Sequence, residues 1–295
     1  MKGISVVIPT LNRTEIVLNT IFAVLSQKFD KPWEVIVVDQ SDLLDSKLID
    51  IKDNRYHYYH VTQFKGLPEA RNFGVQHALY DYILFLDDDI ECENNLLTEH
   101  YKYIIKPEIG VVAGGITEKF KLNPSCKITG YFHNITAVPE RGFDKKQRLF
   151  VDHAGGGNYS IKKAIFKQIG GVDEYLNYGA ALYEETDLCL RVKKIGYKVF
   201  FNYDAHIWHL AVPSGGCRVN DLSKYIRSLV HNRALIISRH LKWYYQVTAT
   251  LYLLRLVLAY AIKNNDFSLF LLFVSNYKKG YEKGKLQPKY TNYRL

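Results

Sequence analysis

The fold of this chain is indicated first by the stretch YILFLDDD, residues 82–89. Its five leading residues are apolar without helical spacing, and a short run of this kind predicts a buried strand. Alternation along an extended chain places Asp87 and Asp89 on one face and Asp88 on the other. Three neighbouring carboxylates repel one another unless a cation or hydrogen-bond donors lie among them. The stretch therefore predicts a strand that ends either at a site for a divalent cation with its phosphate or at the acidic cap of a helix.

Outward from this stretch, strand and helix patterns alternate over the first 115 residues. The strand-like segments are 4–8, 33–38 and 82–86, and the helical ones are 14–27 and 69–78. Strands separated by helices predict a parallel α/β sheet whose ligands bind at the carboxyl ends of the strands. Asp39 follows the second strand, at an end of this kind, and its segment is equally typical of a turn. Residues 116–153 show no clear pattern.

The composition indicates a globular protein. Of the 295 residues, 47% are hydrophobic, enough for a sizeable core in one large or two modest domains. The four cysteines are scattered, which argues against a disulfide framework or a zinc site and favours a reducing cytosol. Residues 4–8 are closed by Pro9 and predict a first strand, because they are too short for a signal peptide.

Positive charge is concentrated in the last quarter of the chain. Residues 221–295 contain 13 basic and three acidic residues, a net charge of +10 against +9 for the whole chain. Such asymmetry indicates an anionic partner, either a membrane or a nucleic acid. The region contains no recognised nucleic-acid-binding motif, so a membrane surface is favoured and no nucleic acid is expected.

Residues 225–262 have a helical pattern rich in Tyr, Leu and Arg. Residues 243–262 are long enough to span a bilayer, but Arg255 lies within them. A central arginine costs about 2.5–3.5 kcal/mol on insertion scales, so a helix in the membrane interface is favoured over a spanning one. A helical cap packed on the preceding domain explains the same pattern. Both interpretations hold if one face of the helix packs on the domain and another contacts lipid.

Several polar side chains lie where a helix begins. Thr10, Asn12 and Arg13 enter the first helix and are suited to phosphate or a base, although Asn12 is equally suited to capping. Arg71 and Asn72 lie in the first turns of a later helix. A guanidinium there contacts a diphosphate or pairs with a nearby acid.

A second acidic cluster begins at Glu184 and Glu185. The helix dipole favours acids in a first turn, but as many as four acids would exceed what capping requires if Asp173 or Glu174 lies close by. A carboxylate well separated from a metal site can act as general base on a hydroxyl. His206 and His209 follow a strand, and only proximity to the aspartate triplet would make either one a metal ligand.

In this order and spacing, the segments of residues 1–215 resemble the inverting glycosyltransferases of family 2, which have a GT-A fold. The matching segments are VVIPTLNR (6–13), VVDQS (37–41), ARNFG (70–74), FLDDD (85–89), GGGN (155–158), IGGVDE (169–174), EETDLCLR (184–191) and AHIWH (205–209). The resemblance implies an α/β GT-A catalytic domain at 1–215, with a mostly parallel Rossmann-like sheet flanked by helices. A C-terminal helical, basic region would follow at 216–295.

The resemblance also implies site residues. Those expected to bind the nucleotide-diphospho-sugar donor are Pro9, Thr10, Asn12, Arg13, Asp39, Arg71, Asn72, Asp87 and Asp88. Asp89, Asp87 and His209 are expected to bind Mn²⁺ or Mg²⁺, and Asp173, Gly156 and Gly157 to lie on the acceptor side. The family's base is an Asp that aligns with Glu185, so Glu185 is the expected base and Glu184 the second candidate.

The implied activity is metal-dependent inverting transfer to a hydroxyl of a lipid-linked or oligosaccharide acceptor, in bacterial-type surface polysaccharide synthesis. The donor expected is a UDP-sugar, with a dTDP-sugar as the alternative. The expected location is the cytoplasm, peripheral on the inner face of the membrane, with membrane contact through 225–295. The competing interpretations are a nucleotidyltransferase acting on sugar phosphates and a family member that binds nucleotide-sugars without turnover.

Overall fold

The computed structural model describes residues 1–119, 128–212 and 221–293. The strands are β1 (Ile4–Thr10), β2 (Trp33–Asp39), β3 (Tyr56–His60), β4 (Tyr82–Leu86), β5 (Ile90–Cys92), β6 (Ile109–Glu118), β7 (Tyr131–His133), β8 (Val138–Glu140), β9 (Arg148–Val151), β10 (Asn158–Lys162) and β11 (Lys198–His209). The helices are α1 (Thr14–Leu25), α2 (Ser46–Ile49), α3 (Leu67–His77), α4 (Leu96–Ile104), α5 (Lys163–Gln168), α6 (Glu184–Lys194), α7 (Leu222–His240), α8 (Trp243–Lys263) and α9 (Ser268–Gly284). The predicted alternation of strand and helix is confirmed for the first half.

Within the described ranges, one nine-stranded sheet has the order β3-β2-β1-β4-β10-β6-β11-β5, and β9 pairs with β11. Strands β3, β2, β1 and β4 run parallel to one another. Strand β10 is antiparallel to both β4 and β6, whereas β6 and β11 are parallel. Strands β5 and β9 are antiparallel to β11. The α/β class is thus confirmed, with a parallel first half and a mixed second half.

Apolar side chains cover both faces of the sheet, which explains why β1 and β4 are continuous apolar runs. Val7 and Phe85 belong to the core on one face, and Ile8 and Leu84 to the core on the other. Helices on each side complete these two layers. The parallel strands β1, β2 and β4 end at the same edge of the sheet, and β4 leads directly into the aspartate triplet.

The three C-terminal helices pack closely and also contact the preceding domain. Gly280 and Gly284 allow α9 to approach α7, since a β-carbon at either position would collide with backbone atoms of α7. One apolar cluster joins these helices to Leu176 and Phe132. The predicted helical extension is therefore present, and its helices do pack as a cap.

Beyond α9 the chain returns to the first domain. The backbone N–H of Lys289 donates to Asp173 Oδ1 at 2.9 Å, and the backbone N–H of Thr291 donates to Glu174 Oε1 at 2.9 Å. The Gln76 amide donates to the Thr291 carbonyl at 2.7 Å. The predicted domain boundary at 215/216 lies within 213–220, outside the described residues.

Candidate active site

The loop after β1 is held against the aspartate triplet. Asp88 is buried and accepts hydrogen bonds from Thr10 Oγ1 and Arg13 Nη1, each at 2.8 Å. Burial raises the pKa of Asp88 to about 6, and the charge of Arg13 and the Thr10 hydroxyl oppose the rise. These three side chains fix the loop at the strand edge. Their contact with a nucleotide stays a prediction.

The carboxyl ends of β1 and β2 meet as expected, with Thr10 paired to Asp39 in the sheet. The Asp39 carboxylate accepts hydrogen bonds from the Ser41 backbone N–H at 2.9 Å, from the Ser41 hydroxyl and from Tyr58 Oη at 2.8 Å. Asn12 has a φ of 55°, which Asn tolerates better than most residues, and its N–H donates to Ser41 Oγ at 2.8 Å. The predicted nucleotide residues of the two loops thus form one connected cluster.

His209, at the end of β11, reaches the same edge. Its Nε2 lies 3.1 Å from Asp89 Oδ1 and 3.9 Å from Asp87 Oδ2. Burial lowers the pKa of His209, but the contact with Asp89 and the charge of Asp87 outweigh burial and raise it. His206 instead contacts the Thr117 hydroxyl at 2.8 Å. Of the two histidines, His209 is therefore the one beside the triplet.

These carboxylates suit a divalent cation that takes its other ligands from a substrate. Asp89 Oδ1 is buried with His209 Nε2 beside it, Asp87 is partly exposed, and Gly157 packs so closely against Asp87 that a β-carbon would collide. In the described ranges, no three His, Cys, Asp or Glu side chains are grouped closely enough to hold a metal ion by themselves. Mg²⁺ sites commonly combine one or two carboxylates with substrate phosphates, and carboxylates also suit Mn²⁺. Asp89, Asp87 and His209 fit the protein's share of such a site.

Arg71 joins the two acidic clusters. Its guanidinium is completely buried, pairs with Glu184 and lies 3.5 Å from Asp87 Oδ1. Its Nη2 also donates a hydrogen bond to the Gly156 carbonyl at 2.6 Å. A buried charge is tolerated when it is paired and hydrogen-bonded, so these contacts explain how α3 can place an arginine in the core. The expected pairing of Arg71 with an acid is present, and its contact with a diphosphate stays a prediction.

Glu185 lies beside the same glycine but outside that ion pair. A β-carbon at Gly156 would be 3.7 Å from the Glu185 carboxyl group. The one ion-pair contact of Glu185 in the described ranges is Arg141, whose Nη2 lies 3.9 Å from Oε1. The two adjacent glutamates therefore differ: Glu184 pairs with Arg71, whereas the ion-pair contact of Glu185 is the longer one to Arg141.

Two predicted site residues form hydrogen bonds or ion pairs around the turn after α5. Asn72 exchanges two hydrogen bonds of 2.9 Å with the backbone of Val172. Asp173 accepts a hydrogen bond from the Lys289 N–H and lies 2.7 Å from Arg239 Nη1. The structure does not bring either side chain to the aspartate triplet. Their roles at donor and acceptor stay predictions.

Asp187 is the centre of a buried network that local sequence patterns barely indicate. It accepts hydrogen bonds from Arg191 Nε at 2.8 Å, Arg239 Nη1 at 3.0 Å and His240 Nε2 at 2.8 Å. Burial raises the pKa of Asp187, but the charges of Arg191 and Arg239 dominate and hold it far below its usual range. The i,i+4 spacing of Asp187 and Arg191 is the one local signal. The network fixes α6, which carries both candidate bases, to the end of α7.

Comparison with known proteins identifies the class. A family model described as glycosyl transferase family 2 matches residues 5–170, more than half of the chain. The chain belongs to this family and is therefore a glycosyltransferase. The membership confirms the predicted family, and the second acidic cluster lies beyond the matched residues.

Two relatives and two solved structures show how similar the chain is to known glycosyltransferases. The chain is 25% identical over 217 residues to glucosyl-dolichyl phosphate glucuronosyltransferase of Haloferax volcanii, covering 70% of the chain and 68% of the relative. It is 29% identical over 224 residues to poly-beta-1,6-N-acetyl-D-glucosamine synthase of Staphylococcus aureus, covering 73% of the chain and about half, 52%, of that relative. A solved fragment of S. aureus TarS matches with a TM-score of 0.62 at 15% identity, covering 95% of the chain and 81% of the fragment. The same fragment in complex with UDP matches with a TM-score of 0.59 at 17% identity, covering 91% and 75%. These structures show the GT-A fold.

Replacing Asp187 with asparagine should lower the free energy of unfolding by about 3–5 kcal/mol at pH 7, because it leaves buried cations without their carboxylate. Urea denaturation measures the change. Asp204→Asn is the matched control, since Asp204 pairs with Arg148 at the surface. An exposed pair contributes about 1 kcal/mol or less.

The difference in unfolding free energy between wild type and Asp187→Asn should depend on pH. Because folding lowers the pKa of Asp187 below its unfolded value of about 3.9, the stabilisation is present above that pH and is lost as the pH falls further. The difference between wild type and Asp187→Asn should therefore shrink below about pH 4. A difference that is small at pH 7, or one that grows on acidification, would contradict the role given to the network.

Proposed function

We propose that this glycosyltransferase moves a sugar from a UDP-sugar, or alternatively a dTDP-sugar, to a hydroxyl of a saccharide or lipid-linked saccharide, with inversion at the anomeric carbon. The proposal rests mainly on one observation. Arg71 holds the cluster of Asp87, Asp89 and His209 and the glutamates of α6 at a single site. An inverting transfer needs a place for the departing diphosphate and a base for the acceptor, and the two clusters meet these needs.

In this proposal Asp89, Asp87 and His209 hold Mn²⁺ or Mg²⁺. The cation, when bound, neutralises negative charge on the departing nucleoside diphosphate. The loop fixed by Asp88 and the cluster around Asp39 form the nucleotide side of the site. The UDP complex of TarS supports a uridine nucleotide, because its fold matches this chain.

Glu185 is proposed as the general base. Its carboxylate takes the proton from the acceptor hydroxyl as the hydroxyl oxygen bonds to the anomeric carbon and the bond to the diphosphate oxygen breaks. Glu184 is less suited to this step, because Arg71 pairs with it. Gly156, which has no side chain, lies next to the Glu185 carboxyl group.

Replacing Glu185 with glutamine should lower kcat by about 10²- to 10⁴-fold, the usual contribution of a general base. The amide keeps the shape of the side chain but cannot accept the proton. Transfer is measured as UDP release with acceptor, and nucleotide binding as the thermal shift that UDP-sugars give with Mn²⁺. The variant should keep the wild-type shift.

Glu184→Gln is the comparison variant. It weakens the buried pair with Arg71, so it should lower thermal stability, whereas Glu185→Gln should not. Transfer left intact in Glu185→Gln would exclude Glu185 as the base. Absence of a thermal shift with any UDP- or dTDP-sugar would count against the proposed donor class.

The acceptor class is supported by the relatives' names, one of which specifies a glucosyl-dolichyl phosphate and the other an N-acetylglucosamine polymer. We propose a lipid-linked or oligosaccharide acceptor in the synthesis of a surface polysaccharide. A cytoplasmic enzyme bound peripherally to the inner face of the membrane would meet such acceptors. We propose that 1–215 form the catalytic domain and that the C-terminal region, 216–295, contacts the membrane through 225–295.

The outer face of α8 and α9 supports membrane contact. Exposed apolar residues of this outer face are Trp243, Val247, Leu251, Leu258, Ile262, Phe267, Leu271 and Val274. Lysines are exposed near its ends, at Lys242, Lys263, Lys278 and Lys279. Within the described residues, Trp243–Lys263 is the one helix long and apolar enough to span a membrane, and its other face is packed against the protein. Aromatic, apolar and basic residues together favour a helix lying in an anionic interface.

Leu271→Ser should weaken binding to vesicles that contain phosphatidylglycerol by about tenfold, because burying a leucine contributes about 1.5–3 kcal/mol. Leu271 is 75% exposed, and Leu43, which is 82% exposed after β2, provides the matched control Leu43→Ser. Co-sedimentation measures the bound fraction. Equal binding by wild type and both variants would exclude the outer face as the contact.

A further inference from the structure

Arg233, in α7, is a buried cation without an acidic partner among the described residues. The residue is 2% exposed, and its Nε donates one hydrogen bond, to the Ala137 carbonyl at 3.1 Å. Its Nη1 is buried and has no hydrogen-bond partner in the part of the chain that the structure describes. Among the residues that the structure describes, no carboxylate lies within 4 Å of it. An unpaired buried charge is costly, and an anion from outside the chain would offset that cost.

Residues near Arg233 also lie near Glu185, the proposed base. Its guanidinium carbon lies 5.9 Å from the ring centre of Tyr183, the residue immediately before α6. Burial raises the pKa of Tyr183, while the positive charges of Arg233 and Arg141 oppose the rise. Arg141 also lies 3.9 Å from Glu185 Oε1. One guanidinium group therefore lies near the Tyr183 ring, and a second lies beside Glu185.

Arg233 also lies close to a residue that borders the outer face of the C-terminal helices. The Arg233 guanidinium carbon lies 5.5 Å from the ring centre of Tyr252 in α8. Tyr252 is half-exposed, and its neighbour Leu251 belongs to the outer face. Charge at one end and exposed aromatic and apolar side chains at the other suit a molecule that is itself anionic at one end and apolar at the other.

We propose that Arg233, assisted by Arg141, binds a phosphate or diphosphate group of the acceptor, and that the apolar chain bonded to that group lies along Tyr252 and the outer face. This inference rests on the proposed function, since it uses Glu185 as the marker of the acceptor side. It adds the chemical class of acceptor: a lipid phosphate bearing the sugar whose hydroxyl faces Glu185. Arginine is suited to this task because its planar fork matches phosphate geometry.

The donor diphosphate is a less suitable partner for Arg233. The proposed diphosphate site is defined by Asp87, Asp89 and His209, on the β4 and β11 ends of the sheet. Arg233 instead donates a hydrogen bond to the carbonyl of Ala137. Ala137 belongs to the apolar cluster that joins the C-terminal helices to the preceding domain.

The test is a binding experiment on the full chain with saturating UDP and Mn²⁺, so that the donor site is filled. Farnesyl phosphate, farnesol and inorganic phosphate are titrated separately, and affinity is measured by calorimetry. Farnesyl phosphate should bind most tightly. Arg233→Gln should weaken it by about 10- to 100-fold, as expected for loss of charge-assisted hydrogen bonds, and Arg141→Gln by less.

Arg227→Gln is the matched control, because Arg227 is exposed on the same helix. It should bind farnesyl phosphate as the wild type does. Arg141 is 66% exposed, so Arg141→Gln carries the test if Arg233→Gln fails to fold.

Unchanged affinity of the folded Arg233→Gln variant for farnesyl phosphate would overturn the inference, and so would unchanged affinity in Arg141→Gln if that variant carries the test. Equal affinity for inorganic and farnesyl phosphate would overturn the lipid assignment. Equal affinity for farnesol and farnesyl phosphate would overturn the phosphate assignment. UDP binding by the wild type is measured separately, so failure of the donor proposal is distinguishable from failure of this one.

Discussion

The site depends on one buried ion pair, between Arg71 and Glu184. Arg71 is inaccessible to solvent, and it also contacts Asp87 and the Gly156 carbonyl. A charge in this position destabilises the protein unless its partners are in place, so α3, the end of β4 and the start of α6 are constrained together. The pair separates a carboxylate cluster suited to a cation from Glu185, and this separation makes two chemical roles available at one site.

The parallel half of the fold follows from local patterns, because β1, β2 and β4 are apolar runs separated by helices. Strand ends then bring Thr10 and Asp39 together, as predicted. The antiparallel insertion of β10 was not predicted, since the pairing partners of a strand are not encoded in its own periodicity. The Arg71–Glu184 pair joins residues more than a hundred positions apart, and no local spacing indicates which acid a buried arginine meets.

The C-terminal region supports the site as well as extending the fold. Arg239 and His240 of α7 bind Asp187 in the helix that carries Glu185, and Lys289 binds Asp173. The basic composition of this region was interpreted from sequence as a partner surface. In the structure some of its cations are internal and fix α6, whereas exposed lysines border the outer face. Average charge could not separate these two uses, because burial is decided by tertiary contacts.

In the proposed mechanism, the Arg71 pair divides the site into a cation side and a base side. A crystal structure with UDP and Mn²⁺, with anomalous data at the manganese edge, would test this division. We expect one anomalous peak bounded by Asp89, UDP at the ends of β1, β2 and β4, and a Glu185 carboxylate without metal. A peak between Glu184 and Glu185, or UDP bound away from that edge, would contradict it.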